Sequence, residues 1–315
     1  MRILWHIHAY PPLHNCGAEW MAHEMNKYLI SKGHTVEVML GNRAADKPYE
    51  FEGVKVYPKH WNWGDRLNWC HVVISHLDYA PETVQMSRWR PMLFVAHNTF
   101  DYPTIRANRQ VHVVYNSEAA MSICRYPNPS IVLPPPVMSE RFKNVKGCND
   151  GTITLINLNE NKGGNIFYNI AEALPEKKFI GVVGSYDTQI IKSLPNVKIL
   201  PNTPNIEDVY KRTSILLMPS KYESWGRTAT EAAFCGIPVI CTDTFGLREN
   251  MGSNGIYVKD RDNISEWVQK INYVTNNWQK ESINFTTRGD ELNQIFTNRL
   301  IEFEKYLKKI ANVPE

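Results

Sequence analysis

The stretch 215–241 contains a strand, a loop, a helix and a second strand in close succession, and this order restricts the fold. Apolar residues fill Ile215–Met218 and again 239–241, which is typical of buried strands. Alanines at helical spacing separate the two strands, and Gly236 marks the end of that helix. Strands joined by one crossover helix lie parallel in the same sheet, so the segment predicts an α/β fold.

Two carboxylates occupy this segment at positions set by the strand and the helix. Glu223 lies in the loop and Glu231 in the helix, with seven residues between them. Open parallel sheets bind their ligands at the carboxyl ends of the strands. We therefore expect Glu223 and Glu231 at a ligand-binding edge of the sheet.

The same segment resembles the C-terminal domain of family-4-type retaining glycosyltransferases, which have the GT-B fold. The signature of that family is two glutamates with seven residues between them, a glycine three residues after the first, and Gly-x-Pro-Val-Ile after the second. The residues that match it in place are Glu223, Gly226, Glu231, Gly236, Pro238, Val239 and Ile240. The alternative is an unrelated strand–loop–helix in which two surface glutamates have this spacing.

The rest of the chain has the organisation that this resemblance implies. Strand and helix alternate from Arg2–Ile7 onwards, a proline-rich stretch follows, and a second α/β series starts near residue 153. We predict a GT-B architecture of two Rossmann-like domains that face each other across a cleft. The predicted boundaries are 1–137 for an acceptor-side domain, 138–290 for a nucleotide-sugar-binding domain, and 291–315 for a helix that crosses back toward the first domain.

Apolar runs predict the strands, and runs with helical spacing predict the helices. Residues 61–69 are rich in Trp and Asn and are expected to form a loop, and the final helix is expected over 291–310. The predicted strands are Arg2–Ile7, Thr35–Leu40, Val54–Tyr57, 71–75, Met92–Ala96, Val111–Tyr115, 131–137 (running into a linker), 153–158, 179–183, Val197–Leu200, Ile215–Met218, 239–241 and Ile256–Val258.

Composition and charge bear on the partners and the cellular location of the protein. The formal net charge of +3 neither requires nor excludes a nucleic-acid partner. Six scattered cysteines without paired spacing favour free thiols over disulfides or a zinc site. The chain starts as a strand rather than as a signal peptide, and no apolar run approaches the ~18 residues of a membrane span. These features predict a cytoplasmic protein, with peripheral membrane contact left open.

A glycine-rich turn at 157–164 is the predicted diphosphate site. Such a turn presents backbone N–H groups and the positive end of a helix dipole, and Lys162 adds a full positive charge. The turn resembles the phosphate site of the family but lacks that site's arginine, for which Arg227 is a candidate replacement. The alternative for Lys162 is a solvated lysine at the start of a helix.

The resemblance implies further site residues in both domains. Gly17 would let the backbone approach the phosphate or the acceptor, and His97 would contact the donor sugar or orient the acceptor. The alternatives are a plain turn at Gly17 and a strand-end histidine bonded to backbone. The predicted catalytic residues are Glu223, His97 and Lys162. The predicted donor-binding residues are Gly17, Lys162, Leu200, Asn202, Glu223, Ser224, Trp225, Gly226, Arg227, Thr228 and Glu231.

The function that the resemblance implies is transfer of a hexosyl or pentosyl group, with retention, from a nucleotide-diphosphate sugar to a hydroxyl. The donor is expected to be a UDP- or GDP-sugar and the acceptor a glycan, a lipid-linked glycan or another hydroxyl compound, including a modified DNA base. No metal and no other cofactor is implied, and Asp260 and Asp262 are expected to cap a helix. A sugar-nucleotide epimerase and a non-catalytic sugar-nucleotide or glycan-binding protein are the alternative functions.

Overall fold

A computed structural model of the chain describes residues 1–42, 45–59, 61–87 and 89–314. These residues form two compact units. The first unit comprises Met1–Pro136 and Ile295–Glu315, and the second comprises Val137–Gln294. The division falls after Pro136, where the sequence analysis placed it after residue 137.

The first unit is built on an eight-stranded sheet, counted over the described residues, with the order β3-β4-β2-β1-β5-β6-β7-β8. All neighbours pair in parallel except β3 and β4, which are antiparallel. Buried apolar side chains fill the central strands because helices cover the sheet. The strands are β1 Arg2–Ile7, β2 Thr35–Leu40, β3 Tyr49–Phe51, β4 Val54–Tyr57, β5 Val72–His76, β6 Met92–Ala96, β7 Val111–Tyr115 and β8 Ser130–Val132. The helices are α1 Gly17–Ser31, α2 Trp63–Trp69, α3 Ala80–Ser87, α4 Pro103–Ala107 and α5 Glu118–Cys124.

The second unit is built on a parallel sheet of six strands among the described residues, with the order β11-β10-β9-β12-β13-β14. The strands are β9 Ile153–Ile156, β10 Phe179–Val182, β11 Val197–Leu200, β12 Ile215–Met218, β13 Val239–Thr242 and β14 Ile256–Val258. The helices are α6 Gly164–Ala173, α7 Glu207–Tyr210, α8 Arg227–Phe234, α9 Phe245–Met251 and α10 Ile264–Asn276. Both units are therefore Rossmann-like.

The last helix, α11, runs over Trp278–Ile310 and belongs to both units. The predicted start at residue 291 was wrong, because the helix begins thirteen residues earlier and passes through Gly289. A Cβ at Gly289 would lie 3.0 Å from the carbonyl oxygen of Ala233 in α8, so the glycine permits close packing of two helices. A glycine that serves packing looks like a helix terminator in the sequence alone.

The predicted loop at 61–69 was also wrong, since most of it forms α2. Leu67 is buried in a cluster with Leu4 and Met39, and Trp63 and Trp69 pack against that cluster. Trp63 and Leu67 are four residues apart and share one face of the helix. Tertiary packing of this face stabilises a helix in a stretch whose Trp and Asn residues are poor helix formers.

None of the helices in the described part of the chain is both long and apolar enough to cross a membrane.

We expect Phe303→Ala to lower the free energy of unfolding of the first unit by about 3–5 kcal/mol, because it leaves a cavity. Phe303 is fully buried in the core of that unit, among residues of β1 and α1. Denaturant titration measures the change. Ile301→Ala is the matched control on the same helix turn, since Ile301 is 42% exposed and should cost less than about 1 kcal/mol. Equal losses in both variants would contradict this role of α11.

Candidate functional site

The strand order of the second unit changes direction between β9 and β12. From β9 the chain adds β10 and β11 on one side, and then returns to place β12 on the other side of β9. The loops that follow β9 and β12 therefore leave the sheet toward opposite faces and open a crevice at their carboxyl ends. Lys162 follows β9 and Glu223 follows β12, so both lie at this point.

Lys162 and Glu223 form an ion pair across this crevice. The lysine Nζ lies 2.6 Å from Oε1 of Glu223, and the Ser220 hydroxyl donates to the same oxygen at 2.8 Å. The lysine side chain is 24% exposed and that of Glu223 is 8% exposed. Burial acts to lower the pKa of Lys162, but attraction to Glu223 and Tyr186 outweighs it and raises that pKa. Lys162 is therefore a fixed positive charge at the carboxyl edge of the sheet.

Gly163 lets the two loops come this close. It adopts φ +89°, and a Cβ there would lie 2.5 Å from the carbonyl oxygen of Pro219 at the end of β12. Arg261 joins the same loops, since its guanidinium donates to the carbonyl oxygens of Pro219 at 2.7 Å and Glu160 at 3.2 Å. Contacts to backbone atoms thus hold the two loops together without a ligand.

The expectation that Asp260 and Asp262 cap a helix was wrong. The side chain that caps α10 is Asn263, which accepts from the backbone N–H of Glu266 at 3.2 Å. Asp260 instead accepts from the backbone N–H of Asp262 at 3.1 Å, within the turn. The cap is therefore one residue later than expected, because Asn263 directly precedes the first helical residue.

The loop between Glu223 and α8 is clamped by the neighbouring helix α9. The Asn250 side chain donates to the carbonyl oxygens of Trp225 at 3.1 Å and Gly226 at 2.9 Å. Gly246 packs directly on this loop, because a Cβ there would lie 2.3 Å from the carbonyl oxygen of Glu223. Gly226 precedes α8 with φ +88°, a conformation that favours glycine. These contacts fix the backbone on which Glu223 stands.

Glu231 is buried in α8 and holds a partner on each carboxylate oxygen. Arg227, one turn earlier, contacts Oε1 at 2.8 Å, and the Tyr210 hydroxyl donates to Oε2 at 2.7 Å. Burial and the nearby negative charge of Glu231 raise the pKa of Tyr210 well above its usual value, so Tyr210 remains a donor. The Nε–H of Arg227 is therefore used in the hydrogen bond to Glu231. No sequence pattern pointed to Tyr210, which lies in a short helix twenty-one positions before Glu231.

The remaining predicted donor-binding residues of the second unit lie along the same edge of the sheet. Leu200 ends β11, and the Asn202 side chain that follows it donates to the carbonyl oxygen of Val183 at 3.2 Å. Thr228 lies in the first turn of α8, where its hydroxyl contacts the sulfur of Met218 at 3.6 Å. Ser224 precedes the buried Trp225. The predicted set of this unit thus spans the carboxyl ends of β9, β11 and β12.

Two predicted site residues belong to the first unit. Gly17 is the first residue of α1, and a Cβ there would meet no atom within 4 Å, so packing of the protein does not require glycine. His97 directly follows β6, and its Nε2 lies 2.9 Å from Nδ1 of the buried His76. Burial lowers the pKa of His97 to about 4, so this imidazole is neutral at neutral pH.

A group that the sequence analysis did not assemble lies at the start of α1. His8 and His14 both contact Oε1 of Glu19, the latter at 3.1 Å. Hydrogen bonds from His14 to Cys16 and Glu19 raise the pKa of His14 to about 10. The histidines and the glutamate are far from any standard motif spacing, so only the fold brings them together.

Residues 157–291 match the family model described as glycosyl transferases group 1. The match begins in the loop after β9 and includes Lys162, Glu223 and Glu231. It therefore covers the crevice residues of the second unit.

Curated relatives are similar to this chain over short stretches. An uncharacterized glycosyltransferase of Methanocaldococcus jannaschii is 32% identical over 91 residues, which are 25% of this chain and 23% of that protein. The D-inositol 3-phosphate glycosyltransferase of Streptosporangium roseum is 33% identical over 94 residues, which are 28% of this chain and 21% of that protein. The match thus spans less than a quarter of either relative.

Solved structures are similar over nearly the whole chain. Sucrose-phosphate synthase from Thermosynechococcus elongatus superposes with a TM-score of 0.78 at 12% identity, covering 98% of this chain and 99% of that one. Anabaena HepE, solved with UDP and glucose, has a TM-score of 0.76 at 17% identity, covering 97% and 99%. Identities this low establish the fold alone. The predicted GT-B class, with two parallel-sheet Rossmann-like units, is confirmed.

We expect Gly163→Ala to lower the free energy of unfolding by at least about 2 kcal/mol, because a side chain would strain a left-handed backbone and clash with Pro219. Gly17→Ala is the matched control and should stay within about 0.5 kcal/mol of the wild type, since its Cβ enters open space. Thermal and denaturant unfolding measure both. A tolerated alanine at Gly163 would show that the two loops do not need this close approach.

Proposed function

We propose that this chain is a retaining glycosyltransferase that moves a sugar from a UDP- or GDP-sugar to a hydroxyl acceptor. The observation that carries the proposal is the Lys162–Glu223 ion pair at the point where the sheet changes direction. That pair lies inside the stretch that matches group 1 glycosyl transferases. The HepE structure, solved with UDP and glucose, supports a nucleotide-sugar donor for this fold.

Lys162 and the amino end of α8 are assigned to the diphosphate. Negative charge grows on that group as the glycosidic bond breaks, and a preorganised cation stabilises it more strongly than water does. Lys162 is held in place by Glu223 and raised in pKa, so it is charged before the donor binds. The positive end of the α8 dipole, which begins at Arg227, adds to the same field.

Glu231 is assigned to the ribose hydroxyls of the donor. Tyr210 and Arg227 each donate to one carboxylate oxygen and fix the orientation of the group. A carboxylate oxygen has two lone pairs and accepts a further hydrogen bond from a ribose hydroxyl. Leu200 and Asn202, at the end of β11, are assigned to the nucleobase side, where backbone groups would make the contacts.

Glu223 is assigned to the sugar itself. Its carboxylate would bond the sugar hydroxyls or stabilise the positive charge that develops on the ring. Because a lysine and a serine hold one of its oxygens, its position is set before the donor binds. We propose front-face transfer, in which the departing phosphate takes the proton of the acceptor hydroxyl. No covalent intermediate on the protein and no metal is part of this reaction.

The first unit is assigned to the acceptor, which we propose is a glycan, a lipid-linked glycan or another hydroxyl compound. His97, neutral at neutral pH, would donate or accept a hydrogen bond at the sugar or the acceptor. Gly17 begins α1 with open space beside it, so a ligand could approach the backbone there.

We expect Lys162→Met to lower kcat on the order of 100-fold, because the loss of one preorganised charge costs on the order of 3 kcal/mol.

We expect Glu231→Gln to raise the KM of the donor by at least about tenfold, since a charge-assisted hydrogen bond to ribose is weakened. Calorimetry with UDP and GDP, and steady-state kinetics with the corresponding sugars, measure both effects. Lys211→Met, at a surface ion pair in the same unit, is the control and should change neither.

Three outcomes separate the alternatives in that experiment. Conversion of the donor to another sugar nucleotide without any acceptor would indicate an epimerase. Binding of the nucleoside diphosphate without slow donor hydrolysis or transfer would indicate a non-catalytic binding protein. An unchanged kcat in Lys162→Met together with an unchanged donor KM in Glu231→Gln would contradict the assigned site.

We expect the new glycosidic bond to have the same anomeric configuration as the donor, because attack and departure occur on one face of the sugar. The proton NMR coupling of the anomeric position in the fresh product measures the configuration. An inverted product would overturn front-face transfer but leave the donor site of the second unit intact.

A further inference from the structure

Three ligand-bearing side chains converge at the carboxyl end of β1 in the first unit. His8 follows β1 directly, His14 lies in the following loop, and Glu19 lies in the first turn of α1. One ring nitrogen of each histidine and a carboxylate oxygen of Glu19 all lie within 4.8 Å of one another. The proposed transfer chemistry uses none of these three groups.

The carboxylate of Glu19 is incompletely satisfied. Its side chain is 1% exposed, and both histidines contact the same oxygen, Oε1. The other oxygen, Oε2, is buried and has no hydrogen-bond partner. A buried polar atom without a partner costs free energy, and the cost is larger for a charged group. A cation bound by this carboxylate would offset part of that cost.

One separation within the cluster matches the spacing of ligand atoms in a transition-metal site. In a tetrahedral zinc site with bonds of about 2.0–2.1 Å, neighbouring ligand atoms lie about 3.3 Å apart. Nδ1 of His14 lies 3.1 Å from Oε1 of Glu19, which is close to that separation, and a bound ion would displace the proton that joins these two atoms in the metal-free protein. Nε2 of His8 contacts Oε1 more closely, and the 23% exposed imidazole of His8 has room to withdraw toward the solvent.

The chemistry of the ligands favours zinc over magnesium or calcium. Two imidazole nitrogens and one carboxylate form a set that suits zinc, whereas magnesium and calcium prefer oxygen ligands alone. Three protein ligands leave the fourth position of a tetrahedral site to water, as in zinc sites that keep an open position. We propose that His8, His14 and Glu19 bind one zinc-class divalent transition-metal ion.

The consequence for the protein concerns the loop between β1 and α1. The metal would tie His8 and His14, at the two ends of that loop, to Glu19 in the helix. Gly17, which is assigned a role at the ligand-binding edge, lies between His14 and Glu19. A bound ion would therefore hold this loop in one conformation without entering the transfer reaction.

Zinc titration of the metal-stripped full-length chain, made without a polyhistidine tag, tests the proposal. We expect one zinc ion to bind tightly per chain (one tight equivalent), seen by calorimetry or by competition with a chromophoric chelator. His8→Gln and His14→Gln should each raise the Kd of this zinc ion at least about tenfold, because losing a group that only supports a metal ligand already costs that much affinity. His112→Gln removes a half-buried histidine elsewhere in the same unit and should leave the tight equivalent unchanged. Far-ultraviolet circular dichroism confirms that each variant is folded.

Two further readouts locate the ion. Zinc should slow amide hydrogen exchange of residues 8–19 in the wild type and not in His14→Gln. Cobalt(II) in place of zinc should give the visible absorption spectrum of four-coordinate cobalt, and His14→Gln should weaken that absorption.

The proposal is overturned if the wild type takes up no tight equivalent. It is equally overturned if His8→Gln and His14→Gln bind zinc as tightly as His112→Gln does. All these readouts are independent of glycosyl transfer, so a failure here is distinguishable from a failure of the proposed function.

Discussion

The ion pair between Lys162 and Glu223 is the contact around which the second unit is organised. It joins loops from two neighbouring strands whose connections leave the sheet in opposite directions. Without contacts between them, such loops would diverge. Here the backbone of Gly163 packs against Pro219, Arg261 bonds to the carbonyl oxygen of Pro219, and the Lys162–Glu223 ion pair adds to both. The pair is thus a product of strand order and of one glycine, and it would not arise from the two side chains alone.

The same arrangement provides a way to exchange partners within the proposed function. Lys162 carries a positive charge that Glu223 neutralises when no donor is present. A diphosphate that enters the crevice competes for the lysine, and the carboxylate is then available to the sugar. Partial burial makes this exchange energetically significant, because two charges at 2.6 Å are screened less than they would be at the surface. Glu231 differs, since Tyr210 and Arg227 hold it rigidly on both sides.

The sequence predicted the sheets well because parallel buried strands are continuous apolar runs. The order of strand, loop and helix around Glu223, Gly226 and Glu231 was also predicted, since strand, turn and helix signals are all local. Contacts between distant residues were beyond the sequence. Tyr210 beside Glu231 and the meeting of His8, His14 and Glu19 depend on tertiary packing, which no local spacing reports. The start of α11 was also predicted too late, and the helix passes through Gly289, whose close packing on Ala233 is likewise a tertiary contact.

Because α11 contributes to the first unit, it affects the order in which the two units are completed during translation. The core of the first unit includes Leu300, Phe303, Leu307 and Ile310, which follow the whole second unit in the sequence. The sheet of the first unit is synthesised before the second unit but lacks part of its apolar cover until α11 has been made. The second unit, by contrast, is complete in one continuous stretch of chain. During synthesis the unit that appears first is therefore the unit that is completed last.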